Sequence, residues 1–177
     1  MELLQGEAFE SLFRTFEHTA FHLELQDEYH TPEESGPFRL FREGKSDDFA
    51  WHEPWLRLVR EVTGAGRRIE RVRVVTVPHT DYVRWGLAVA PRNIDAGEDI
   101  RWLPRHRTAD LELPSDDFWL FDNGRVVFTV FEPEGRFIGG AFTVDPVIVD
   151  RCRRTYEAVW TRAVPHRVYV GASSVPR

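Results

Sequence analysis

Cysteine, lysine and long apolar runs are scarce in this chain of 177 residues, and each scarcity excludes a class of protein. Cys152 is the only cysteine, so an internal disulfide and a cysteine-rich zinc site are excluded. No apolar run approaches the roughly 18 residues of a membrane-spanning helix. Residues 1–6 also lack the basic and apolar stretches of a secretory signal. We therefore expect a cytoplasmic protein that does not associate with membranes.

Positive charge is in deficit, because 29 Asp and Glu residues outnumber 23 Lys and Arg residues and leave a net charge of −6. An acidic chain of this kind is not expected to bind nucleic acid directly. The deficit is uneven, since residues 63–108 carry nine arginines against five acidic residues. Arginine suits the recognition of carboxylate and phosphate groups. This segment is therefore where we expect a protein partner with an acidic surface, or a small anionic ligand, to bind.

The hydrophobic patterns predict one α/β (α+β) domain over residues 1–177, because no linker or repeat divides the chain. A helical N-terminal region is expected to precede a mixed sheet of about five or six strands flanked by helices. The expected parts are an acidic helical region at 1–66, the sheet layer at 67–165 and a fraying tail at 166–177.

Six segments carry strand patterns. The β-branched run at 71–77 and the run at 99–103 enclose a helix, which predicts parallel pairing with a right-handed crossover. Thr80 or Asp81 is expected to cap this helix. The other strands are expected at 20–25, 117–122, 125–131 and 136–144, with hairpin turns at 122–124 and 132–135. Asp145 and Pro146 are expected to start the last helix.

Four motifs resemble an actinobacterial family of domains of unknown function across nearly the whole chain. They lie at Phe16–Glu24, Arg71–Val75, Gly97–Arg101 and Asp117–Asp122. Members of that family are often encoded beside helix-turn-helix regulators of the XRE type. The resemblance therefore implies a non-catalytic regulatory or protein-binding domain that acts with such a regulator.

A more distant resemblance is to one half of the phospholipase D-like domain, through the strands and helices of residues 71–163. Catalytic members carry a His-x-Lys-x4-Asp motif, and the matching run here begins at Ser115 and ends at Asp122. Ser115 replaces the nucleophilic histidine and Asp117 replaces the phosphate-binding lysine. The resemblance thus implies a copy without phospholipase D chemistry, because an acidic residue there repels phosphate.

Polar residues cluster after the first strand of the predicted parallel pair, where the carboxyl ends of strands line the ligand crevice in open α/β sheets. Arg101 and Arg105 lie at or beyond the end of the second strand, next to this cluster. The predicted ligand or partner site comprises His79, Asp81, Tyr82, Arg84, Arg101, Arg105, Asp117 and Trp119.

Other interpretations of these residues stay open. A hydrolase or transferase could use His79 as its general base, with Asp81 or Asp122 orienting the ring. A toxin-like effector neutralised by a neighbouring protein is a further alternative. In a purely structural interpretation, His79 and Asp81 cap the helix and the arginines pair with Asp116, Asp117 and Asp122.

Cofactor and metal binding are not expected. The sequence has no glycine-rich phosphate loop, nucleophile elbow or His-Glu-x-x-His motif. His18 and His22 are four residues apart, but a helix end that runs into a strand separates their side chains. Cys152 falls on the apolar stripe of the last helix, where a buried inert thiol is expected.

Overall fold

The computed structural model describes residues 1–132 and 136–173, which form an eight-stranded mixed sheet with helices on both faces. The strands are β1 (Glu2–Leu4), β2 (Thr19–Glu24), β3 (Arg68–Val75), β4 (Asp99–Pro104), β5 (Phe118–Phe121), β6 (Arg125–Phe131), β7 (Phe137–Thr143) and β8 (Val164–Pro165). The helices are α1 (Gly6–Thr15), α2 (Pro32–Arg42), α3 (Glu53–Gly64), α4 (Asp81–Ala96), α5 (Pro146–Arg162) and α6 (His166–Ser173). None of these helices has the length and apolar content needed to cross a membrane.

The strand order is β1-β7-β6-β5-β2-β3-β4-β8. Strands β2, β3 and β4 are parallel neighbours, and every other pair is antiparallel. The predicted α/β class and mixed sheet are confirmed, and all six predicted strands are present. The sheet has eight strands instead of five or six because β1 and β8 have three and two residues, too few to show an alternating pattern.

The N-terminal region contributes more to the sheet than its expected helical character suggests. Strand β2 lies at the centre of the sheet, between β5 and β3, so the division at residue 66 does not separate helices from sheet. Its residues 20–25 alternate between two buried faces, which is why the pattern reads as a strand despite the helices around it.

The C-terminal residues differ from the expected fraying tail, because residues 166–173 form helix α6. Tyr169 stacks on the buried ring of Trp102, with centroids 5.9 Å apart. The Trp102 indole N–H donates to His166 Nδ1 at 3.1 Å. These contacts hold α6 against the edge of the sheet. The predicted turn at 132–135 includes residues 133–135, which lie outside the described residues.

Local capping follows the sequence at two helices. Thr80 Oγ1 accepts a hydrogen bond from the backbone N–H of Val83 at 3.2 Å and so caps α4. Asp145 accepts from the backbone N–H of Val147 at 2.9 Å and caps α5. Both caps satisfy backbone donors that have no partner within the helix.

The two faces of the sheet are covered by different helices. Helix α5 packs on an apolar face that includes Leu23, Val72 and Leu103. Helices α1 and α3 pack on the opposite face around Phe121 and Val127, and α4 packs on its β4 side. Because side chains alternate along a strand, His22 and Glu24 of β2 and Arg71 and Arg73 of β3 point to this second face.

Candidate functional site

A cavity of about 600 Å³ lies between the second face of the sheet and the helices that cover it. Its walls are mostly aromatic, and its floor is formed by side chains of β2, β3 and β5. We call it the aromatic pocket and define it by Phe13, Trp51, Trp55, Tyr82 and Trp85 in the walls, and by His22, Arg71, Arg73 and Trp119 in the floor.

Strand register brings the floor residues together from distant parts of the sequence. His22 pairs with Trp119 of β5 on one side and with Arg71 of β3 on the other. Two residues further along the same face, Glu24 of β2 pairs with Arg73 of β3. The floor therefore has one row of side chains across β5, β2 and β3, formed by Trp119, His22 and Arg71, and a second row across β2 and β3, formed by Glu24 and Arg73.

Arg71 and Arg73 are held by buried carboxylates. The guanidinium of Arg71 donates to Glu24, and its Nε donates to Glu98 Oε1 at 2.6 Å. Arg73 Nε lies 2.6 Å from the second oxygen of Glu24. Burial raises the pKa of Glu24, but Arg73 and Arg71 outweigh burial and lower it to about 2. The network is therefore ionised, and its two positive and two negative charges balance.

Glu98 fixes the network to the helices above the sheet. Its side chain is fully buried and accepts from the indole N–H of Trp55 at 3.2 Å and from the amide of Asn93 at 2.8 Å. His52 Nε2 lies 2.7 Å from the side-chain oxygen of the same Asn93. These bonds lock the position of Arg71, since both carboxylates that hold it are themselves fixed.

His22 is the exception in this ordered floor. Its ring stacks on Trp119 with a centroid distance of 4.1 Å and an interplanar angle of 10°. The residue is only 8% exposed, and neither ring nitrogen makes a hydrogen bond within the described part of the chain, although Nδ1 lies 3.3 Å from Glu24 Oε1. Burial lowers the pKa of His22 to about 3 against the opposing effect of Glu24, so the ring is neutral.

Arg73 also has unused donors. Its Nε pairs with Glu24, whereas its two terminal nitrogens, Nη1 and Nη2, have no hydrogen-bond partner among residues 1–132 and 136–173. The guanidinium packs against Gly86 of α4, where an added Cβ would come within 2.6 Å of Nη1. A glycine at this position of the helix therefore leaves room for the Arg73 guanidinium in the pocket.

Helix α2 contributes one side chain to the lining of the aromatic pocket. Glu34 of α2 lines the pocket and accepts from the Tyr82 hydroxyl at 2.6 Å. Burial raises the pKa of Tyr82, and the neighbouring Glu34 raises it further, so the phenol stays protonated. No residue of α2 is fully buried, although Phe38 contacts the rings of Tyr82 and Trp85. The helix is thus attached to the pocket through few side chains.

Of the residues predicted from the sequence, Tyr82 and Trp119 line the aromatic pocket. The structure does not bring the others into one crevice with them. His79 Nδ1 lies 2.9 Å from the carbonyl oxygen of Thr76, and its Nε2 lies 2.9 Å from the hydroxyl of Tyr169. Asp81 and Arg84 pair with each other on the exposed surface of α4. Both ring nitrogens of His79 therefore make structural contacts.

The predicted arginines lie apart. Arg101 points to the opposite face of the sheet, where its guanidinium lies 3.7 Å from the ring centroid of Trp160. Arg105 donates to the carbonyl oxygens of Leu25 at 2.5 Å and Val74 at 3.2 Å. Arg105 therefore joins the ends of two strands through backbone oxygens and Asp27, and not through the aspartates at 116, 117 or 122 that the structural interpretation expects.

The two predicted aspartates have structural surroundings. Asp117 is buried and accepts from the backbone N–H of Leu25 at 2.8 Å and from the Tyr29 hydroxyl. Burial raises the pKa of Asp117 to about 6. Asp122 accepts from the backbone N–H groups of three consecutive residues between α1 and β2, and from Arg125 at 3.0 Å. Asp122 thereby fixes the entry of the chain into β2.

Sequence reasoning missed His22, Arg71 and Arg73 as a group. A signal was present, because β2 and β3 carry polar residues at alternate positions of segments that otherwise read as buried strands. Such a pattern on a central strand indicates a polar cluster inside the protein, since buried charges require partners. No group of three or more metal-ligating side chains is found among residues 1–132 and 136–173.

Comparison with known proteins adds a family but no activity. The model of the family described as Domain of unknown function (DUF6879) matches residues 7–171, which include every residue of the aromatic pocket. No curated protein matches the chain.

Proposed function

This chain belongs to the DUF6879 family of domains of unknown function, and we propose that it is a non-catalytic regulatory domain that binds a small molecule in the aromatic pocket. We further propose that it acts with a helix-turn-helix transcription regulator. One observation carries the binding proposal: His22 is buried at the floor of a 600 Å³ cavity, and its ring nitrogens have no hydrogen-bond partner in the described residues.

The size and lining of the pocket support ligand binding. Small-molecule sites typically have volumes of roughly 300–1,000 Å³ and apolar walls with a few convergent polar groups. A buried polar group without a partner costs about 1–3 kcal/mol, so a protein that keeps one at a cavity gains when a ligand supplies the partner. The free donors of Arg73 lie in the same pocket as His22.

The chemistry of the pocket favours binding over catalysis. A general base works best when its pKa lies near the working pH, whereas the pKa of His22 is about 3. The carboxylates of Glu24 and Glu98 are already engaged by Arg71. Cys152 lies on the other face of the sheet, and burial raises the pKa of its thiol to about 11. The contacts of both His79 nitrogens likewise favour a structural role over the alternative of a hydrolase.

Helix α2 is the element best placed to report occupancy of the pocket to a partner. Glu34 and Phe38 connect it to the pocket wall, while six of its eleven residues are exposed. A ligand that contacts Tyr82 therefore alters the support of α2 without breaking the core. We propose that the regulator recognises the surface of α2 in its ligand-bound position.

A fragment screen by thermal denaturation tests ligand binding. A ligand at ten times its Kd stabilises the protein by about 1.4 kcal/mol, which raises the Tm by about 3–6 °C for a domain of this size. Gly86→Leu places a side chain beside Arg73 in the pocket, and Gly64→Leu is the matched control because open space surrounds Gly64 at the end of α3. We expect aromatic fragments that stabilise the wild type and Gly64→Leu but not Gly86→Leu.

Co-purification tests the proposed partner. The chain is co-expressed with a helix-turn-helix regulator of the XRE type from the same genome, and the mixture is analysed by size-exclusion chromatography with and without a fragment hit. We expect a complex whose yield changes with the ligand, and no shift of duplex DNA by the isolated domain at about 150 mM salt. A ligand-insensitive complex, or salt-sensitive DNA binding by the isolated domain, would contradict the proposed role.

A further inference from the structure

We infer that the ligand of the aromatic pocket is a flat, uncharged ring system with a carbonyl-type acceptor on one edge. This inference rests on the proposed function, because it names the ligand class for the same site. It departs from the small anionic ligand expected from the sequence, and the distribution of charge in the pocket is the reason.

The shape of the ligand follows from the separation of apolar and polar lining. Rings of Trp51, Trp55 and Trp85 line the walls, and Trp51 and Trp85 are stacked 5.6 Å apart. The nitrogens that lack hydrogen bonds, in the ring of His22 and at the end of the Arg73 side chain, both belong to residues of the floor strands. A matching molecule therefore has apolar aromatic faces and one polar edge that points to the floor.

The charge of the ligand follows from the balance already reached in the floor. Arg71 is held by Glu24 and Glu98, and Arg73 by Glu24, so both guanidinium groups of the floor have a counter-charge. Away from the floor, the pocket is lined by the carboxylates of Glu10 and Glu34 and by one further guanidinium, that of Arg14, so these groups add a net negative charge. An anionic ligand thus loses its hydration without meeting an uncompensated cation, which makes its burial expensive. A cationic ligand meets two guanidinium groups at the floor.

The hydrogen-bonding edge follows from the free groups. The terminal nitrogens of Arg73 can only donate, so they require an acceptor such as a carbonyl oxygen. His22 Nδ1 lies 3.3 Å from Glu24 Oε1, so Nε2 is the nitrogen left for a ligand, and on a neutral imidazole with its proton at Nδ1 it accepts from a ring or amide N–H beside that carbonyl. An amide or lactam edge satisfies both residues without adding charge.

Three probes with the same ring test this inference by isothermal titration calorimetry. Indole-3-carboxamide is neutral, indole-3-carboxylate is an anion and 3-(aminomethyl)indole is a cation at pH 7. We expect the carboxamide to bind at least about tenfold tighter than either charged probe. His22→Phe keeps the ring stack on Trp119 but removes both nitrogens, and we expect about tenfold weaker carboxamide binding. Gly64→Leu should bind as the wild type does.

The outcomes separate the ligand class from the pocket itself. If a charged probe binds as tightly as the carboxamide, or more tightly, and Gly86→Leu abolishes that binding, the neutral class is wrong and the pocket stands. If no probe binds, or if Gly86→Leu leaves binding unchanged, both the inference and the proposed pocket are overturned. Tighter carboxamide binding that Gly86→Leu and His22→Phe both weaken supports the two together.

Discussion

Acid should destabilise this protein through His22, and the effect can be isolated with one substitution. The folded protein keeps the ring neutral because burial lowers the pKa of His22 from 6.5 to about 3. The unfolded chain protonates the same ring near its ordinary pKa. Between these two values the unfolded state binds a proton that the folded state does not, so lowering the pH favours unfolding.

The size of this effect follows from proton linkage. Each pH unit between the unfolded and folded pKa values of His22 removes about 1.4 kcal/mol from the free energy of unfolding. From pH 7 to pH 5 the loss is about 2 kcal/mol, since pH 7 lies just above the window. Asp117 acts in the opposite direction: with its folded pKa raised to about 6, the folded state takes up the proton first and gains stability as the pH falls.

Urea denaturation of the wild type and His22→Phe at pH 7 and pH 5 measures the contribution of His22 alone. Both proteins share Asp117 and every other titrating group, so those contributions cancel in the comparison. We expect the loss of stability on acidification to be about 2 kcal/mol smaller in His22→Phe than in the wild type. His18→Gln is the control, because His18 is exposed and its replacement should leave the wild-type loss unchanged.

Equal pH dependence of the wild type and His22→Phe would refute the reasoning. It would mean that the ring is protonated or solvated in the folded protein at pH 5, and hence that His22 does not face the pocket as a neutral group. The same result would remove the acceptor on which the proposed ligand edge depends.

Three further predictions concern residues outside the pocket floor. Asp117→Asn keeps the acceptor for Leu25 but cannot take up a proton, so between pH 7 and pH 5 it should lose about 1 kcal/mol more stability than the wild type in urea denaturation. Arg105→Glu should lower the free energy of unfolding by about 1–2 kcal/mol through lost hydrogen bonds, whereas the exposed Arg107→Glu should change it by less than about 0.5 kcal/mol; equal effects would contradict a strut role for Arg105. Neither the wild type nor Asp122→Asn should hydrolyse a phosphodiester reporter, and the Tm of Asp122→Asn should be lower than that of the wild type because the variant weakens the bonds to the chain before β2. Turnover by the wild type that is lost in Asp122→Asn would show that Asp122 is catalytic.

The sequence alone determined the elements of this protein, because the forces that define them act locally. The alternating pattern at residues 20–25 and the β-branched run at 71–77 identify strands, and Thr80 identifies the start of α4. Capping and alternation depend on neighbours within a few positions, so they can be recognised without knowledge of the fold. The edge strands β1 and β8 escaped recognition because their few residues carry no pattern.

Only the tertiary structure decided where the candidate site lies. His22, Arg71 and Trp119 are distant in sequence and meet because β2 pairs with β3 on one side and with β5 on the other. The sequence placed the site at the end of β3, where His79 in fact makes structural contacts. Strand order and register depend on packing across the whole sheet, and the helices that cover one face decide which polar residues line a cavity. Strand order, register and helix packing, and not residue type, therefore place Arg71 and Arg73 in the pocket floor and leave Arg101 and Arg105 outside it.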